Sequence, residues 1–253
     1  MTTFHGNLEG KVAFITGGNR GIGLQTARDL GKLGAQVVIG SRDAEKGKAA
    51  AESLASEGIR AESIQFDVLR AEDRQAAFDY FEQRHGKLDI LINNAGVQKE
   101  VEHLMPMNET STVPPAILRE TFDANFFTLV ELTQLLLPLI RRAPAGRIVN
   151  LSSVLGSLSL HADPSAQIYG VKVFAYDASK AAVNMFTIHL AHELRDTPIK
   201  VNSAHPGWVR TEIGGKFADL DVSESSKTSV MLATLPDDGP SGQFFYLDNQ
   251  LPW

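Results

Sequence analysis

The chain reads as an α/β protein, a single-domain Rossmann fold with a doubly wound, seven-stranded parallel sheet and helices on both faces. Three observations predict this. Short, continuously apolar runs recur between longer amphipathic segments, and a glycine-rich turn follows the first of them. The 253 residues also continue without a linker, low-complexity tract or internal repeat, so one domain over 1–253 is expected.

The elements follow in order. Val12–Thr16 is the first strand and Ile22–Leu33 the first helix; Val37–Gly40, Ala44–Ser56, Ser63–Phe66, Arg74–Arg84 and Leu88–Ile92 repeat the alternation. Strands buried on both faces need unbroken Val, Ile, Leu and Phe, whereas a helix needs only one apolar face toward the sheet. A long helix ends near Arg141, where Arg141-Arg142 complements the negative end of the helix dipole. Strand Arg147–Ser152, a helix holding Tyr176 and Lys180, strand Lys200–Ala204, a helix around Ser223–Ala233 and strand Gln243–Leu247 complete the pattern. Right-handed crossovers then place the ligand crevice at the carboxyl ends of the strands.

Composition removes several functions. With no cysteine there is no disulfide, thiolate metal site or cysteine nucleophile; no metal is expected, and a reducing, cytoplasmic setting is. Met1 to Gly6 carries no apolar run, and the longest apolar stretch, Leu135 to Ile140, contains Pro138, so neither a signal peptide nor a membrane span is expected. A net charge of −6 with scattered Lys and Arg argues against a nucleic-acid partner.

Directly after the first strand stands Thr16-Gly17-Gly18-Asn19-Arg20-Gly21-Ile22-Gly23, opening a helix. Such glycines let the backbone approach a pyrophosphate, whose charge meets free N–H groups at the helix start. At the end of the second strand an acid would accept from the ribose hydroxyls of NAD, but this chain has Ser41 there, followed by Arg42. Arg42 and Arg20 suit a 2′-phosphate, so NADPH/NADP is favoured over NAD. Asp43, the nearest carboxylate, reads as a helix N-cap.

Tyr176 and Lys180, four residues apart, would share a helix face. At ~4 Å and an effective dielectric of ~20 their attraction is about 4 kcal/mol, enough to draw a phenol toward neutral acid-base work. The spacing alone also fits an aromatic packed under a lysine stem.

Together with Asn93-Asn94-Ala95-Gly96, Asn125, Ser152-Ser153 and Pro206-Gly207, these motifs resemble the short-chain dehydrogenase/reductases over nearly the whole chain. Gly17 to Gly23, His205 to Thr211 and Leu235 to Phe244 look most like the NADPH-dependent carbonyl reductases. The resemblance implies Tyr176 as general acid/base, Lys180 holding the nicotinamide ribose, Ser153 holding the substrate oxygen and Asn125 holding a water that links Lys180 to solvent. It implies cofactor contacts from Gly17, Asn19, Arg20, Gly21, Ile22, Gly23, Ser41, Arg42, Asp67, Val68, Asn94, Ala95, Gly96, Tyr176, Lys180, Pro206, Gly207, Val209 and Thr211. Asp67 has a second reading as a helix cap.

One departure stands out. Ser153 and Tyr176 are 23 positions apart, an unusually long separation for the family. In the carbonyl reductases that the chain resembles, a lengthened segment here, roughly Ser157 to Val173, covers the helix face used elsewhere for dimerisation, which implies a monomer, or a dimer rearranged around the insertion, with His161 as a solvated loop residue. The expected substrate is a small or medium-sized ketone or aldehyde, taken into an apolar pocket formed by Gln98 to Met107, 154–175 and Trp208 to Phe217. Alcohol or polyol oxidation and 3-oxoacyl thioester reduction are the alternatives; Lys216 and Lys227 against Asp219, Asp221 and Glu224 weaken the carrier-bound thioester. A non-catalytic NADP-sensing protein would be expected to lose Tyr176 or Lys180.

Overall fold

The structure is a computed structural model describing residues 6–100 and 109–253. Strands β1 (Val12–Thr16), β2 (Gln36–Ser41), β3 (Ala61–Gln65), β4 (Ile90–Asn93), β5 (Arg147–Leu151), β6 (Lys200–Ala204), β7 (Phe244–Tyr246) and β8 (Asn249–Gln250) form one sheet, ordered β3-β2-β1-β4-β5-β6-β7-β8. The first seven are parallel, as the apolar runs predict. The eighth corrects the expected count: the chain reverses after Tyr246, with Leu247 at φ 51°, and Asn249–Gln250 returns antiparallel along β7. Two exposed polar residues give no hydrophobic signal by which such an edge strand could be read.

The helices are α1 (Gly21–Lys32), α2 (Ala44–Ser56), α3 (Ala71–Arg84), α4 (Pro115–Phe122), α5 (Thr128–Ile140), α6 (Leu158–Ala162), α7 (Phe174–Glu193) and α8 (Lys227–Ala233). Strand geometry sends successive side chains to opposite faces, and β1 shows both. Ala13 and Ile15 pack with Ala27 and Leu30 of α1, Leu54 of α2 and Val230 of α8. Val12 and Phe14 pack with Phe81 of α3, Leu136 of α5 and Leu190 of α7. Between β1 and β4 the crossovers run off in opposite directions, which opens the crevice above their carboxyl ends.

The long helix expected up to Arg141 is interrupted by a π-turn at Asp123–Phe127, between α4 and α5. The helical run Pro115–Ile140 has the length and mean hydropathy of 1.2 that a membrane span needs, but half of that window is buried inside the protein, as in a core helix. Its apolar residues, Leu132, Leu136 and Leu139 among them, face the sheet.

Candidate active site

At the nucleotide end the backbone does the work. Gly17 and Gly21 adopt φ 64° and 53°, where a side chain would be strained. A Cβ on Gly23 would stand 2.5 Å from the Gly17 carbonyl and 2.6 Å from Asn94 Nδ2, so only glycine lets α1 start this close to the loop. Arg20 precedes α1 without a side-chain cap, and the first turn holds no acid, leaving that helix end suited to an anion. Thr16 ties the two strand-end turns together: its Oγ1 accepts from Asn94 N at 3.0 Å and Ala95 N at 2.9 Å, while Asn94 Nδ2 donates to the Thr16 carbonyl at 2.7 Å. In the sequence Thr16 is only the first letter of a motif; its clamping role depends on the closeness of β1 and β4.

Beyond β2, Ser41 is buried and its hydroxyl donates to the Asp43 carbonyl at 2.7 Å, so it shapes the turn. Arg42 is exposed. Asp43 caps α2, accepting from Lys46 N at 3.1 Å, as expected. Asp67 accepts from Leu69 N at 3.0 Å, and its own N–H donates to Asp73, so it holds the turn into α3. Arg20 is paired with Glu212, a residue sequence reading passed over, which follows Thr211 on the opposite side of the crevice. The Arg20 and Arg42 charges hold the Glu212 carboxyl below its ordinary value, chiefly through the hydrogen bond from Arg20.

At the catalytic end the side chains are buried. Tyr176 and Lys180 project from one face of α7, with Nζ 5.7 Å from the phenol ring centre. Lys180 donates to the Leu151 carbonyl at 2.7 Å and is almost fully buried; burial pushes its ammonium down to about 8. Tyr176 is also buried, and burial pushes its phenol up to about 12, against a lowering hydrogen bond with Ser153. This reverses the expected direction: the low-dielectric setting favours the uncharged phenol more than the Ser153 hydrogen bond opposes it. A neutral phenol is the form that can give up a proton. Ser153 Oγ also accepts from Leu155 N at 3.1 Å, which fixes its position at the end of β5.

Asn125 lies on the π-turn, where one extra residue per turn aims its amide inward. Oδ1 accepts from Val97 N at 2.7 Å, and Nδ2 donates to the Val97 carbonyl at 2.8 Å and to Ser179 Oγ at 3.0 Å. It therefore clamps the turn after β4 onto α7. Gly96 sits between them, its Cβ direction 3.3 Å from Asn125 Oδ1 and 3.5 Å from Lys180 Nζ.

After β6, Pro206 and Gly207 (φ 88°) turn the chain into a folded lobe. Thr211 Oγ1 accepts from Gly214 N at 3.2 Å, Trp208 Nε1 donates to the Gly214 carbonyl at 2.9 Å, and Val209 bridges to Leu220. Trp208 and Phe217 are exposed. The extra segment before α7 is folded rather than loose: Ile168 and Val171 pack on Leu155, Val173 and Tyr176. His161 lies within it, half-buried, correcting the expected solvated loop position; its Nε2 is 2.9 Å from the Leu155 carbonyl. Of the expected pocket loops, positions 101–107 lie outside the described residues.

Fold and site together define a class: a dinucleotide-binding sheet whose crevice ends in a buried Ser, Tyr and Lys set is that of a nicotinamide-dependent oxidoreductase. Residues 11–220 match the short chain dehydrogenase family, and the chain belongs to it. Carbonyl reductase (NADPH) 1 of Homo sapiens is 32% identical over 271 residues, covering 92% of this chain and 95% of that protein. The Mus musculus protein of the same name is 31% identical over 280 residues, 96% and 98% of the two chains. Among solved structures, salutaridine reductase from Papaver somniferum superposes with a TM-score of 0.78 at 28% identity over 93% and 99% of the chains. A metagenomic short-chain oxidoreductase in complex with NADP gives 0.73 at 31% identity over 93% and 95%.

Proposed function

We propose that this protein is an NADPH-dependent reductase that converts a ketone or aldehyde to an alcohol, reversibly, with Tyr176 as general acid/base. The observation that carries the reading is the buried, uncharged Tyr176 phenol beside Ser153 and one helical turn from Lys180. The residues fit a dinucleotide: α1 offers an uncapped, acid-free start, and Arg20 and Arg42 flank the crevice with the cations a 2′-phosphate needs. When bound, the reduced cofactor supplies the hydride. Ser153 and Tyr176 hold the carbonyl oxygen, and Tyr176 gives it a proton as negative charge develops there. Lys180 steadies the resulting phenolate, and Asn125, which clamps Val97 to α7, is placed to hold a water beside Lys180 for reprotonation. Asp67, Val68, Asn94, Ala95 and Gly96 would border the adenosine, and Pro206 to Thr211 the nicotinamide. NADP-dependent turnover by a soluble monomer in a reducing, cytoplasmic setting completes the proposal, the folded 157–173 segment lying over the start of α7.

The test is reduced-nicotinamide consumption against a panel of carbonyls with NADPH and with NADH. Faster turnover with NADH, or unchanged turnover by Tyr176→Phe, would overturn it. Light scattering at the tetramer mass would overturn the monomer.

A further inference from the structure

Two carboxylates that no step above uses meet the amino end of the catalytic helix. α7 starts behind Val173, which supplies no capping side chain. The amides of this first turn are met from elsewhere. Glu100, in the segment after β4, accepts from Ala175 N at 2.7 Å. Asp177 reaches back one turn, and its Oδ2 accepts from Val173 N at 3.0 Å. Its other oxygen, Oδ1, is buried and has no hydrogen-bond partner among the described residues. Asp177 as a whole is only 8% exposed.

The surroundings decide what charge this site holds. His161 of α6 places Nε2 3.4 Å from Asp177 Oδ2, yet its Nδ1 faces Lys172 Nζ at 3.0 Å. A nitrogen facing an ammonium must accept, so the proton is on Nε2, donated to the Leu155 carbonyl, and the ring is neutral. Burial and the Lys172 charge both lower the affinity of His161 for a second proton. Lys172 is then the cation acting on Asp177, opposed by Glu100. Tyr176 is the residue just before Asp177, and Lys180 follows on the same helix.

We propose that Glu100 and Asp177 are positioning residues, a carboxylate pair that pins the segment after β4 to the first turn of the catalytic helix and couples the charge on Asp177 to Tyr176. Burial first, and Glu100 second, push the Asp177 carboxyl up to about 7. Below that pH Oδ1 carries the proton and the helix start faces one carboxylate, Glu100. Above it a second negative charge arises there, beside Glu100 and one residue from the phenol, whose proton it holds more tightly. A rise in pH through about 7 therefore weakens the hold of Glu100 and makes Tyr176 a poorer acid. The second consequence rests on the acid/base reading of Tyr176; the capping does not.

The experiment compares the wild type with Asp177→Asn and Glu100→Gln in two readouts, thermal unfolding and kcat/KM for a carbonyl, over roughly pH 5 to 9. A carboxyl whose folded value is raised contributes stability that is full below its unfolded value and lost as pH rises through the folded one. The wild type should lose stability toward about 7, Asp177→Asn should lose that step, and Glu100→Gln should move it to lower pH. The alkaline fall in kcat/KM should move with it. Steps at the wild-type position in both variants would overturn the pair. Shifted unfolding steps without NADPH turnover of any carbonyl would leave the capping pair standing and sink the reductase reading.

Discussion

The nucleotide half and the catalytic half of the crevice are built on opposite principles. From β1 to β4 the site is made of backbone: glycine dihedrals, the uncapped start of α1, and amides tied by Thr16 and Asn94. Its charged groups, Arg20 and Arg42, stay in solvent, as does Glu212, which meets Arg20 from the opposite side of the crevice. From β5 to β7 the site is made of side chains taken out of water, with the proton affinities of Tyr176, Lys180 and Asp177 all displaced by burial. Backbone cradles bind a constant chemical group; desolvated side chains change what a proton does. The first half should therefore tolerate loss of a charge with a modest change in affinity, and the second should not.

Tyr176→Phe is the hardest test of that contrast. It removes the hydroxyl proposed to protonate the substrate while leaving the ring packed on Leu155, Val173, Ile168 and Val171. Turnover should fall by at least ~10³, in the upper range for general acid loss, with the melting temperature nearly unchanged. A fall below tenfold in steady-state kcat would break the contrast.

Lys180→Met comes next. We expect kcat/KM to fall about 10²-fold, within the range for removing a group that assists proton transfer. Its stability effect has a definite sign with pH. An ammonium pushed down to about 8 destabilises the fold below that value, and the penalty is relieved as pH rises toward its unfolded value of 10.5. Wild-type stability should thus gain a rising contribution across that window, and the variant should lack it in unfolding scans.

How far each half could be read from sequence follows from the same contrast. Backbone sites leave spaced glycines, and the loop at 17–23 with its crevice was legible, as were the seven parallel strands. Helix pairs such as Tyr176 and Lys180 leave a spacing. Burial leaves neither, so the phenol was expected to be lowered and is raised. Asn125 was placed in an unbroken helix because a π-turn inserts no proline or glycine to announce it. Glu100, Glu212 and Thr16 act across 75 or more positions, on Ala175, Arg20 and Asn94, distances no local pattern encodes.

Thr16→Val probes the scaffold of the nucleotide half. It keeps the strand shape but strips the acceptor from two partly buried amides, Asn94 N and Ala95 N. The cost should be about 1–3 kcal/mol in denaturant unfolding, with a higher KM for NADPH and little change in kcat. An equal loss in kcat would mean that Thr16 serves the catalytic half as well.

Arg42→Ala and Glu212→Gln should have the smallest effects, and in opposite directions. Arg42 is exposed, and removing a charged contact to a 2′-phosphate should weaken NADPH by about tenfold while leaving NADH nearly unchanged. Glu212 holds Arg20 in an ion pair whose side chains are 62% and 73% exposed, so the pair is worth at most ~1 kcal/mol. That pair engages the same guanidinium the phosphate would use. Glu212→Gln should release Arg20 and tighten NADPH by two- to fivefold at low salt, with the gain vanishing as ionic strength rises. Weaker NADPH binding, measured by fluorescence titration, would mean instead that the pair closes across the bound dinucleotide, giving the nucleotide half a side-chain device of its own.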